Sequence, residues 1–73
     1  MRLREFRNAV ATEFGDHGVA LTADLVLSGL GGRTANEALA AGVDAGEVWT
    51  ELCRATDVPV NRWHGVGLRD PRA

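Results

Sequence analysis

An all-α fold is what this sequence predicts: a compact single-domain bundle of about four short helices with a helix-turn-helix-like corner. Three observations carry that expectation. Apolar residues recur at helical spacing, cap signatures precede two segments, and the chain has only 73 residues. A chain so short buries about 60% of the surface its unfolded form exposes, so its core is thin and a closed enzyme pocket is not expected.

The first helix is read from Leu3, Phe6, Val10 and Phe14, whose spacings of three, four and four draw one amphipathic stripe. Gly15 ends it as a left-handed cap, and Asp16, His17 and Gly18 read as a loop. A second helix is expected from Val19 to Leu30, with Leu21, Leu25 and Leu30 on one face. The run Leu25-Val26-Leu27 would also suit a buried strand, but no partner strand is evident, so the segment is read as the central helix. Thr34-Ala35-Asn36-Glu37 has the spacing of a capping box and opens a short third helix to Ala41, stopped by Gly42. Asp44 with Glu47 repeats that spacing and opens a fourth, which carries Val48, Trp49, Leu52, Cys53 and Thr56 on one side. Asp57-Val58-Pro59 ends it, because the residue before proline avoids the helical region. Val60 to His64 adds a further turn, and residues 65–73 read as a flexible tail after a domain of residues 1–64. The expected core is Leu3, Phe6, Val10, Phe14, Leu21, Leu25, Leu30, Leu39, Val48, Trp49, Leu52 and Cys53.

Charge is unevenly placed. The net charge is −2, yet arginines outnumber acids in residues 1–7 and 58–73, while residues 8–57 hold eight acids against Arg33 and Arg54. A nucleic-acid surface would therefore have to use the ends. One cysteine excludes an intramolecular disulfide and offers no metal pair. The opening MRLREFRNAV lacks the apolar core of a signal peptide, and no apolar run reaches the roughly 18 residues of a membrane span. The expected compartment is the cytoplasm.

The stretch Ser28-Gly29-Leu30-Gly31-Gly32-Arg33-Thr34 invites comparison with a phosphate cradle. A P-loop would need a lysine before the serine or threonine and a strand ahead of it, and a dinucleotide fingerprint would need glycine where Thr34 stands. Arg33 and free helix N–H groups would suit an anion, but Glu37 competes for the same place. The glycines are read as caps and turns.

Glu37 to Val48 resembles a DNA-binding helix-turn-helix. Small Ala38, turn residue Gly42, apolar Val43, capping Asp44 and core Val48 allow two helices to meet closely. The side chains left to face a groove include Glu47, Glu51 and Arg54, a set that repels phosphate on balance and lacks base-reading amides. A corner used for packing is the preferred reading, and a DNA reader the runner-up. Cys53 reads as structural, His17 and His64 show no metal spacing, and Trp49 as core. Trp63 either folds back over the core or stands out as a binding anchor, a role tryptophan and arginine favour.

The segments MRLREF, VLSGLGGRTANEALAAGV and EVWTELCRATDVP resemble the short actinobacterial proteins grouped as Domain of Unknown Function 3046. The resemblance spans about residues 1 to 60. It implies a small cytoplasmic protein without an assigned activity or known catalytic residues. It also implies a link to DNA repair, through genes placed beside the strand-exchange recombinase and its regulator.

The function expected is a non-enzymatic module that binds another protein, with no cofactor or metal. Arg33, Glu47, Glu51, Arg54, Arg62 and Trp63 are the expected contact residues. Alanine at Trp63 is expected to weaken binding without unfolding the domain. Homodimerisation stays open, because a thin core that leaves apolar surface exposed often finds a copy of itself.

Overall fold

A computed structural model describes residues 1–63. The further turn expected to reach His64 and the tail expected at 65–73 extend outside the described residues. In order, the elements are helix α1 (Leu3–Phe14), helix α2 (His17–Asp24), strand β1 (Val26–Leu27), a 3₁₀ turn (Ser28–Leu30), strand β2 (Arg33–Thr34), helices α3 (Ala35–Ala40) and α4 (Ala45–Ala55), and a 3₁₀ turn (Val60–Arg62). The fold is mostly α, as expected, with a two-stranded hairpin added.

Helix α1 begins where the Glu5 carboxylate accepts the Arg2 backbone N–H at 2.7 Å. Phe6, Ala9 and Val10 are buried along it. Leu3, counted as the first member of the stripe, is 52% exposed. Periodicity reports the angle of a side chain around the axis but not how far along it the neighbouring elements reach. The joint to α2 is also shorter than expected, since His17 and Gly18 are helical and only Gly15 and Asp16 lie between. Gly18 is buried at the closest approach of the two helices, where a β-carbon would overlap Val10 Cγ1. The glycine is there for contact, not for a loop.

The second helix stops six residues earlier than expected, at Asp24. Leu25 is already extended, and β1 pairs antiparallel with β2 in the register Val26 to Thr34 and Leu27 to Arg33. The missing partner strand was Arg33–Thr34, hidden behind the glycines. Val26 is 58% exposed and Leu27 is 1% exposed, the alternation of a strand with one face in the core. Gly31 and Gly32 both have positive φ and close the hairpin, with the Gly32 N–H donating to the Leu27 carbonyl at 3.2 Å. They are punctuation: Gly31 caps the 3₁₀ turn and the pair closes the hairpin, while α2 has already ended at Asp24.

The two expected caps form. Thr34 Oγ1 accepts the Glu37 N–H at 3.1 Å while the Glu37 carboxylate accepts the Thr34 N–H at 2.9 Å, closing the box at α3. Asp44 Oδ2 accepts the Gly46 and Glu47 N–H groups at 2.9 and 3.3 Å and starts α4.

Helices α3 and α4 end in the same Schellman geometry. After α3, Gly42 has φ +92° and the Val43 N–H reaches back to the Ala38 carbonyl. After α4, Asp57 has φ +59° and the Val58 N–H reaches back to the Cys53 carbonyl, with Val58 buried. An aspartate thus occupies the left-handed position that glycine takes at the other corner. Asp57→Gly is therefore expected to raise stability by up to about 1 kcal/mol, and Asp57→Ala to lower it. Urea midpoints at constant slope check both.

The core contains Phe6, Ala9, Val10, Leu27, Leu30, Ala35, Ala38, Ala45, Val48, Trp49, Leu52, Cys53 and Val58. Leu21, Leu25, Leu39 and Phe14, expected inside, are only partly buried. Four alanines take space assigned to them, because small side chains are what let such short helices approach closely. Trp49 anchors the centre, with Phe6 and Phe14 edge-on at 6.3 and 6.2 Å between ring centroids.

Candidate functional site

Glu51, Arg54 and Trp63, three of the residues expected to contact a partner, come together. Arg54 Nη1 meets Glu51 Oε2 at 3.1 Å, and the Arg54 guanidinium lies 5.9 Å from the Trp63 ring centroid. Arg62 instead donates to the Glu13 carboxylate of α1. Arg33 in β2 and Glu47 in the first turn of α4 are exposed and join neither arrangement. The corner itself has the compact turn that a helix-turn-helix needs, but the α4 face bearing Glu51 is not open. Gly29 of the hairpin turn sits against the Glu51 carboxylate so closely that a β-carbon there would overlap it.

Trp63 docks on its own domain. It is partly buried against the core, its indole N–H donates to the Val58 carbonyl at 2.8 Å, and its backbone carbonyl accepts the Trp49 indole N–H. The expectation that alanine at Trp63 leaves the fold untouched does not follow from this geometry. Trp63→Ala is expected to cost about 2 kcal/mol, less than the full loss of a buried tryptophan because the ring is half covered. A lowered melting temperature in circular dichroism checks it.

Cys53 is fully buried, and burial, reinforced by the negative charge of Glu13, pushes its thiol from about 9 up to about 12. The thiol is thus protonated at neutral pH and is not a nucleophile. Because the folded value lies above the unfolded one, its contribution to stability is complete below about pH 9 and declines as pH rises toward 12. Native protein at neutral pH is expected to resist a thiol reagent, with labelling limited by unfolding. Rapid labelling in buffer without denaturant would contradict this.

No three of the described His, Cys, Asp and Glu residues are close enough to share a metal ion. His64 lies outside the described residues. Among the described residues, a groove of about 670 Å³ opens between α2, the end of α1 and the end of α4. Phe14, Ala20, Leu21 and Leu25 form its apolar surface, with Glu13, His17, Asp24 and Thr56 around them. Next to it, α2 exposes Val19 (77%), Ala20 and Ala23. None of these α2 residues was among the expected contacts. The available signal was a helix apolar nearly all round, which reads as buried unless something else covers it.

Among the described residues, the fold and this surface define a small capped helical domain with an apolar side of α2 left uncovered. The chain belongs to the family described as Protein of unknown function (DUF3046), whose sequence profile matches residues 1–61. No curated protein and no solved structure matches it. Among the described residues, no helix is long and apolar enough to cross a membrane.

Proposed function

We propose that this chain is a non-enzymatic interaction module of the cytoplasm that binds protein through the α2 side of the domain. The observation that carries the reading is the exposed apolar face of α2 beside the groove, where Val19 is 77% exposed. Apolar surface gathered on one face marks an interaction site more than scattered apolar residues do. Arg62, one of the expected contacts, borders this surface through its pair with Glu13. Glu51, Arg54 and Trp63 form a second, more polar patch, with Arg33 and Glu47 beyond it. The reading includes a role linked to DNA repair, as the resemblance implies.

The test is a photocrosslinking residue in place of Ala23, introduced in cells, with Asn8 on the outer face of α1 as the control position. Adducts to protein from position 23 and not from position 8 support the reading. No adducts from position 23, or the same adducts from both, would remove it.

DNA binding through the α3–α4 corner is the second reading, favoured by the tight Gly42 turn and the capped start of α4. An NMR titration with a short duplex separates the two. Shifts centred on residues 44–54, with affinity falling steeply as salt is added, would support it. Shifts confined to the arginine-bearing ends, or none, would retire it.

A further inference from the structure

We propose that the partner of the α2 face is a second copy of this chain, packed antiparallel against it about a two-fold axis near Ala20. The inference rests on reading α2 as an interaction surface and names what covers it.

His17, Ala20, Leu21 and Asp24 stand three, four and seven apart and all border the groove, so they share one side of α2. Val19 and Ala23 flank the exposed side of Ala20. Between its ends the helix carries no charged side chain; His17 opens it and Asp24 closes it. A two-fold interface must be self-complementary, with residue i meeting j wherever j meets i. When two α2 helices run antiparallel and centre near Ala20, His17 of each copy faces Asp24 of the other. The same arrangement brings Val19 of each copy close to Ala23 of the other, within one residue.

An imidazole N–H can donate to the carboxylate opposite, and this pairing is formed twice by symmetry. A parallel arrangement would instead set Asp24 against Asp24. The alanines make the approach possible, since small side chains at the crossing allow helix axes to come within about 8 Å. The two grooves then meet on the His17 and Asp24 side of the seam, and exposed Val19 is covered on the other. Glu13, the other carboxylate at the groove, is already paired with Arg62 and does not compete for His17.

Sedimentation of the purified full chain from micromolar to millimolar concentration tests this. The expected result is a monomer–dimer equilibrium, and a chain that stays monomeric throughout overturns the proposal. Ala20→Arg, a change at an exposed position, is expected to abolish the dimer while the melting curve of the dilute protein is retained. A dimer indifferent to Ala20→Arg uses another face and also overturns it.

His17→Asp sets carboxylates opposite each other and is expected to weaken association about tenfold or more. Combining it with Asp24→His exchanges the partners and is expected to restore association. Failure of the exchange to restore it overturns the antiparallel register. Dilution-dependent amide shifts in the unaltered chain supply a reading that needs no variant: they are expected on α2, and shifts elsewhere count against the proposal. A monomeric chain that still crosslinks through position 23 to a different protein would sink this inference and leave the interaction reading standing. Absence of any adduct from position 23 would remove the interaction reading itself.

Discussion

Phe6→Ala is expected to bring the domain close to unfolding at room temperature. The ring is 0% exposed and meets the edge of Trp49, so its removal takes away burial and opens a cavity beside the largest side chain of the core. Such truncations cost about 3–5 kcal/mol. A domain of this size has a total stability near the low end of about 5–15 kcal/mol, so little remains. The measurement is a thermal melt followed by circular dichroism, with a midpoint lowered by more than about 15 °C or no cooperative transition at all. A shift of only a few degrees would mean that α1 does not pack on α4 as described.

Gly18→Leu is the second large effect. Leucine is a good helix former and Gly18 lies inside α2, so local propensity alone forecasts a gain of somewhat under about 1 kcal/mol. Tertiary contact forecasts the reverse. The new β-carbon would overlap Val10 Cγ1 and lie 3.3 Å from the Val10 carbonyl oxygen. Valine is branched at Cβ and buried here, and its carbonyl belongs to the α1 backbone, so neither can move aside cheaply. Separating α1 from α2 is expected to cost about 3 kcal/mol net. Ala11→Leu on the exposed face of α1 is the control, with a change within about 0.5 kcal/mol. If Gly18→Leu stabilises the protein, the close approach of the two helices is wrong.

The contrast between those two residues shows what was legible in the chain. Phe6 falls on a periodic stripe, and its place in the core follows from spacing alone. Gly18 stands beside Gly15 and Asp16, and nothing local separates a turn glycine from one that admits a neighbouring helix. The α2 surface escaped for a related reason. Leu21 and Leu25 looked like core because they are leucines, yet nothing in the order of residues says that, among the described residues, the elements around α2 are too few to cover it. Trp63 is a third case. Its neighbours Asn61, Arg62 and His64 are polar and leave both a ring folded back on the core and an anchor facing water open, while the Trp49 and Val58 groups that hold it sit 14 and five residues away.

The sequence by itself determined the features whose causes lie within a few residues. These are the stripe of α1, the Thr34–Glu37 box, the Asp44 cap, the apolar side of α4 and the family to which the chain belongs. Side chains three or four apart on a helix, and caps three residues from their acceptors, act over distances set by backbone geometry. Only the tertiary structure decided that Leu25 leaves the helix so that Val26 and Leu27 can pair with Arg33 and Thr34. It alone set alanines in the core, drew Trp63 onto Trp49 and left one side of α2 uncovered. Those outcomes depend on which surfaces meet when the helices pack, and the elements of the described residues are too few to cover every apolar face.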